Sequence, residues 1–173
     1  INYKFYVDKS MLIALLNEKL EGVDRFLCVS RPRRFGKTMA ANMIAAYYSK
    51  GRDSHELFSD LKISKDPSYE ENINKYAVIQ LDMNDVVTNK EDNSITEYIN
   101  KEVVSELRKI YPSALPEENV SLSKAIKEIF SLTGDQFVFV IDEYDVIIRD
   151  QKYSSELDGY LTFLVSLFKN SAT

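Results

Sequence analysis

The chain has 173 residues, 45% of them hydrophobic, and a formal net charge of −5. That is enough for one sizeable core and too little for two ordinary domains, and the acidic balance argues against a domain that binds nucleic acid with its whole surface. With no run of eighteen apolar residues and no basic-then-apolar leader, the sequence predicts no membrane span and no secretory signal, and a cytoplasmic location is the default expectation.

In chain order, an extended N-terminal piece leads to Asp8, placed to cap a helix of about 9–20. Arg25-Phe26-Leu27-Cys28-Val29-Ser30 reads as a short buried parallel strand, with the single Cys28 as a reduced core residue. A largely buried helix of about 37–49 follows, apolar at Met39, Ala40, Ala41, Met43, Ile44, Ala45 and Ala46, with Gly51 as its stop. A short helix falls near 54–60, and the lone His55 beside it reads as surface decoration. After a loop at Asp66-Pro67-Ser68 comes a second core strand, Ala77–Asp82. A helix of about 94–110 carries the stripe Ile95, Ile99, Val103, Leu107 and Ile110 and stops at Pro112. Another spans about 122–132, with Leu122, Ala125, Ile126, Ile129 and Phe130 inward and Gly134 just beyond. Phe137–Ile141 is an apolar strand that runs into Asp142-Glu143, and a last helix of about 156–169 is apolar on more than one side. The alternation predicts an α/β fold with a parallel sheet flanked by helices on both faces.

Two of these segments carry chemistry. Residues 30–38 read Ser-Arg-Pro-Arg-Arg-Phe-Gly-Lys-Thr between a predicted strand and a predicted helix. Gly36 lets a backbone approach a phosphate closely. Lys37 is a compact cation for β- and γ-phosphates, and the Thr38 hydroxyl can ligate magnesium. The helix behind them aims free N–H groups and a partial positive charge at the same place. A P-loop is Gly-x-x-x-x-Gly-Lys-Ser/Thr, and Arg31 stands at its first glycine; the alternative is a basic surface loop that contains Gly-Lys-Thr by chance. The strand ending in Asp142-Glu143 supplies the complementary half. Asp142 is placed to support magnesium through a coordinated water, and Glu143 to orient and deprotonate an attacking water. The bland alternative is a strand that ends in a solvated acidic turn. Arg31, Arg33, Arg34 and Lys37 put four positive charges within seven residues of an acidic chain, a cluster that a triphosphate satisfies locally.

The combined reading is binding of ATP with Mg2+, with Glu143 and Lys37 as catalytic groups and Thr38 and Asp142 as metal ligands. Arg31, Arg33, Arg34, Phe35, Gly36, Lys37, Thr38 and Met39 form the predicted nucleotide-binding stretch. Two other functions stay open: a nucleotide-dependent switch that scarcely hydrolyses, and a nuclease-like metal site with the arginines on nucleic acid. The last needs a third carboxylate or a lysine on the following strand, and the residues after Asp142-Glu143 offer only Asp145, Arg149 and Asp150. Asp82, Asn84 and Asp85 end the second strand on the same predicted sheet edge and read either as ordinary loop starters or as outer partners of the magnesium.

Phe5-Tyr6-Val7-Asp8-Lys9-Ser10, Arg31-Pro32-Arg33-Arg34-Phe35-Gly36-Lys37-Thr38 and Ile141-Asp142-Glu143-Tyr144-Asp145 together resemble the AAA-ATPase-like family of prokaryotic P-loop NTPases. Glu56–Ile63 is similar to it as well. In that family an arginine in place of the first glycine is the usual pattern, whereas the proline often found after Asp-Glu-Tyr-Asp is replaced here by Val146, Ile147 and Ile148. The resemblance implies a P-loop NTPase domain over 1–173 that stops short of a sensor strand and a helical lid. Members often continue into a restriction-endonuclease-like nuclease domain. Nucleic acid is therefore expected only through such a region, a membrane partner is not expected, and a homo-oligomer is open. The resemblance also places Tyr6 and Asp8, with Phe5 and Val7, near the adenine; the alternative is that Asp8 only caps a helix while Phe5 and Val7 pack in the core.

Overall fold

The structure, a computed structural model, describes residues 7–20, 22, 25–30, 32, 34–115 and 120–169. The chain divides into two compact units, Ile1–Val78 and Ile79–Thr173.

The first unit is built of short helices around tyrosines. Its elements are α1 (Met11–Asn17), α2 (Lys37–Tyr48), α3 (His55–Phe58), a 3₁₀ turn at Lys62–Lys65 and α4 (Tyr69–Asn72). Tyr47, at the C-terminal end of α2, is fully buried, and its ring stands 5.0 Å from Tyr48, 5.4 Å from Phe58 and 5.8 Å from Tyr69, mostly edge-on. Edge-to-face rings pair the positive rim of one with the negative face of the next. Buried hydroxyls need partners, and Tyr47 and Tyr48 each have one. Tyr47 donates to the Tyr69 carbonyl at 2.9 Å, and Tyr48 to Asn17 Oδ1 at 2.7 Å. The Asn17 amide donates in turn to Tyr47 Oη and Ser68 Oγ, joining α1, α2 and the start of α4. Burial pushes the Tyr47 phenol up to about 12 and Tyr48 higher still, so both remain neutral donors.

The second unit holds the sheet and the longer amphipathic helices. It runs β1 (Ala77–Asp82, across whose start the unit boundary falls), α5 (Met83–Asn89), α6 (Ile95–Ile110), α7 (Leu122–Thr133), β2 (Phe137–Asp142), α8 (Val146–Arg149), a 3₁₀ turn at Gln151–Glu156 and α9 (Leu157–Lys169). β1 and β2 pair in parallel as a small two-stranded sheet. α6, α7 and α9 start within a residue of where the sequence predicts. Ser94 and Glu97 form a reciprocal capping box on α6, Ser121 accepts from Lys124 N on α7, and Gly134 ends α7 in the left-handed conformation. α6 packs on α5, α7 and α9, burying Ile95, Ile99, Val104 and Leu107 against Leu122, Ala125, Ile129 and Tyr160. Each such aliphatic side chain contributes roughly 1.5–3 kcal/mol when fully buried. Glu156 accepts from Ile95 N at 2.6 Å and pairs with Lys90 at 3.1 Å, fixing the N-terminus of α6 to the turn before α9. Among the described residues no helix is long and apolar enough to cross a membrane.

Several expectations change. Residues 25–30 form no strand, and Phe26, Leu27, Val29 and Cys28 are exposed. A buried parallel strand needs ladder partners, and among the described residues of the first unit the ladder contact is a single parallel bridge, Ser49 with Tyr76. Gln80 stands exposed between buried Ile79 and Leu81, so β1 has one covered face, the alternation of a half-buried strand. α2 is buried only toward its C-terminal half, where it reaches the aromatic cluster; Met39 is exposed. Ile110 and Phe130 lie on the predicted stripes yet are exposed, because each sits near the end of its helix, past the packed neighbours. The sequence reading gives no helix at α4, α5 or α8.

Candidate functional site

In the first unit, the Gly-Lys-Thr stretch has the local geometry its sequence implies. Arg34 has φ 67° and Gly36 φ 76°, while Phe35 between them stays at negative φ. Alternating signs of φ turn successive N–H groups toward a common side, the arrangement of an anion-binding nest. Gly36 is then the N-cap of α2, and Lys37 and Thr38 are its first two helical residues. Left-handed φ suits Gly36, which has no Cβ, and costs Arg34 about 1–2 kcal/mol. Phe35, Gly36, Thr38 and Met39 are exposed and Lys37 is half-buried. α2 has no acidic residue of its own in its first turn to offset the positive end of the helix.

Asp8 does not cap α1 as expected; Ser10 holds the N-cap position. Asp8 Oδ1 accepts from Ser10 N at 2.8 Å and Oδ2 from Lys62 N at 2.9 Å, while Ser10 Oγ accepts from Ile63 N at 3.1 Å. Partial burial alone would raise the Asp8 carboxyl, but the hydrogen bonds from Ser10 and Lys62 outweigh it and hold the group below the ordinary range. Asp8 therefore anchors the entry to α1 onto the Lys62–Lys65 turn. Between these anchors, Lys9 Nζ donates to the Phe35 carbonyl at 2.7 Å, a contact across 26 residues that no sequence pattern announces. Arg31, Arg33, Tyr6 and Phe5 lie outside the described residues, and Val7 is exposed rather than packed. His55 is a surface residue, as expected; its Nδ1 lies 2.6 Å from Asp53, which raises its pKa.

In the second unit, β2 delivers Asp142 as its last residue, 8% exposed. Oδ1 accepts from Glu143 N at 2.9 Å, whereas Oδ2 is buried and has no hydrogen-bond partner among the described residues. Such an oxygen is costly in a buried carboxylate, and its simplest complement is a cation. Glu143 follows at φ 50°, a left-handed conformation uncommon for a residue with a side chain. Strain of this kind collects at functional turns. Arg149, at the end of α8, donates to Asp145 Oδ2 at 3.2 Å and lies 3.5 Å from Glu143 Oε2. Because β1 and β2 are neighbours in a parallel sheet, Asp82 and Asp142, the last residue of each strand, share one sheet edge. Asp82 Oδ1 accepts from Asn84 N and caps α5, which supports the loop-starter reading. Among the described residues no group of three or more His, Cys, Asp or Glu side chains is placed to hold a metal ion by itself.

A family model described as Predicted AAA-ATPase matches residues 2–171. No curated protein and no solved structure matches the chain.

Proposed function

The chain belongs to the AAA-ATPase-like family over nearly its whole length, and from that premise we propose that it is a P-loop NTPase domain that binds ATP with Mg2+ and hydrolyses it. The observation that carries this is the buried Oδ2 of Asp142 without a partner, at the end of an apolar strand in a chain whose Gly36-Lys37-Thr38 opens a helix through a left-handed turn. An oxygen so placed fits magnesium. Magnesium prefers one or two carboxylates plus substrate phosphates to an all-protein cage, which agrees with the lack of a three-ligand cluster among the described residues.

In this reading Lys37 and the N–H groups of the loop hold the β- and γ-phosphates, and Arg31, Arg33 and Arg34 neutralise charge along the chain of phosphates. Thr38 and Asp142 would hold the metal, which when bound supplies charge neutralisation on the phosphate oxygens. Glu143 accepts the proton of the attacking water. Its carboxylate is oriented from two sides, by a backbone turned to φ 50° and by the Arg149 guanidinium. Phe35 and Met39, exposed beside the loop, are the apolar surface nearest to a bound nucleotide; Tyr6 and Asp8 are assigned to its base, with Asp8 acting through the anchor it makes on the Lys62–Lys65 turn. The test is phosphate release at saturating Mg–ATP by the protein and by Glu143→Gln. The variant should bind ATP and release phosphate at least a hundredfold more slowly. Equal turnover would remove Glu143 from the mechanism, and no turnover by either would leave the nucleotide-dependent switch as the better reading.

A further inference from the structure

Lys9 stands outside the Arg31–Thr38 stretch in sequence, yet its Nζ donates to the Phe35 carbonyl at 2.7 Å. The same Nζ lies 3.7 Å from where a Cβ on Gly36 would sit. The ammonium therefore occupies the side of the turn that Gly36 leaves open by having no side chain, one residue before Lys37. The position is fixed from both sides. Asp8 is held by Ser10 N and Lys62 N, and Ser10, 0% exposed, accepts from Ile63 N. Leu12 N donates to the Lys9 carbonyl at 3.0 Å as α1 begins. A long cationic side chain whose backbone is anchored in this way, in a chain of net charge −5, has a neutral carbonyl for its partner and, among the described residues, no ion pair. An ammonium has three donors, and a polyphosphate oxygen is a stronger acceptor for them than a peptide carbonyl, because it adds the attraction of a full opposite charge to the hydrogen bond.

We propose that Lys9 is a second phosphate-binding cation of this loop: with no nucleotide it holds the Phe35 carbonyl, and with a nucleoside triphosphate it turns to the polyphosphate beside Lys37. The assignment rests on the reading of residues 31–38 as the nucleotide loop. It separates two tasks that one side chain could have, holding the loop and meeting the charge, and these respond differently to substitution. Lys9→Gln keeps an N–H donor for the Phe35 carbonyl and loses the charge; Lys9→Arg keeps both; Lys9→Ala loses both.

The experiment is titration of the protein and the three variants with Mg–ATP by calorimetry, with thermal melting of each as the check on folding. Lys9→Gln and Lys9→Ala should bind ATP about tenfold to a hundredfold more weakly, the range for losing one charge-assisted hydrogen bond, and Lys9→Arg should lie within about threefold of the parent. A Lys9→Gln that folds and binds ATP as the parent does would overturn the proposal and reduce Lys9 to a loop support. If the parent itself binds no ATP, the nucleotide-loop reading fails and this assignment falls with it. Parent binding with an indifferent Lys9→Gln overturns the assignment alone. Should Lys9→Ala melt early, the comparison of Lys9→Gln with Lys9→Arg decides without it.

Discussion

Asp142→Asn gives a prediction with an unusual sign. In the parent, Asp142 Oδ1 is satisfied by Glu143 N while Oδ2 is buried without a partner. Leaving a buried polar atom unpaired costs about 1–3 kcal/mol, and more when it is charged. Asparagine has the same shape, keeps the Oδ1 acceptor for Glu143 N, and replaces the charged oxygen with a neutral amide. The amide N–H groups are unpartnered in their turn, so only the charged part of the cost is removed: without nucleotide, Asp142→Asn should be more stable by up to about 1 kcal/mol, a rise in Tm of at most roughly 2–4 °C at this chain length. With Mg–ATP at a hundredfold above Kd the parent gains about 2.7 kcal/mol by linkage, whereas the variant should gain much less. Differential scanning calorimetry with and without Mg–ATP reads both effects. A substitution that lowers Tm without ligand and leaves the Mg–ATP gain intact would refute the idea that this oxygen waits for a cation. Enzymes commonly hold such local instability at the groups that act, so stabilising changes there reduce function.

Two further outcomes follow from local geometry. Gly36→Ala meets only ordinary contact at 3.7 Å from Lys9 Nζ, but it must adopt φ 76°; it should lose about 1–2 kcal/mol of stability from backbone conformation alone and weaken ATP binding, and an unchanged melting curve would mean that the turn relaxes freely. Asp8 has its carboxyl held below the ordinary range, so its contribution is complete above the unfolded value near 4 and fades as pH falls through the lower folded value. The Tm difference between the parent and Asp8→Asn should accordingly be constant from pH 7 to about 5 and shrink toward pH 3, and a difference that does not change with pH would contradict the anchoring role.

How much could be read in advance depended on whether a segment's signal was self-contained. β1, β2, α6 and α7 were legible because each carries its own apolar pattern, and Pro112 and Gly134 mark helix ends that the structure keeps; the caps Ser94 with Glu97 and Ser121 are seen only in the structure. The run 25–30 has the composition of a strand, but composition cannot supply the neighbour that a ladder requires, and Cys28 is exposed as a result. α5 was missed although Asp82 is a cap, because Met83, Val86 and Val87 are too few apolar positions to establish a helical period. In the candidate site, the left-handed Gly36 and the placement of Asp142 at a strand end follow directly from residue type and position. Lys9 does not. Its contact with Phe35 exists only because Asp8 and Ser10 tie the start of α1 to the Lys62–Lys65 turn, some fifty residues downstream. Arg149 is a similar case: it lies near Glu143 and Asp145 because α8 makes a single turn.

In the proposed function Lys37 captures the phosphates of ATP at the N-terminus of α2. Titration of Mg–ATP into the parent and into Lys37→Ala tests it most directly. Saturable heat is expected with the parent and none with Lys37→Ala at the same concentrations, with both proteins melting alike in the absence of nucleotide. Equal ATP affinity in the two proteins would contradict it.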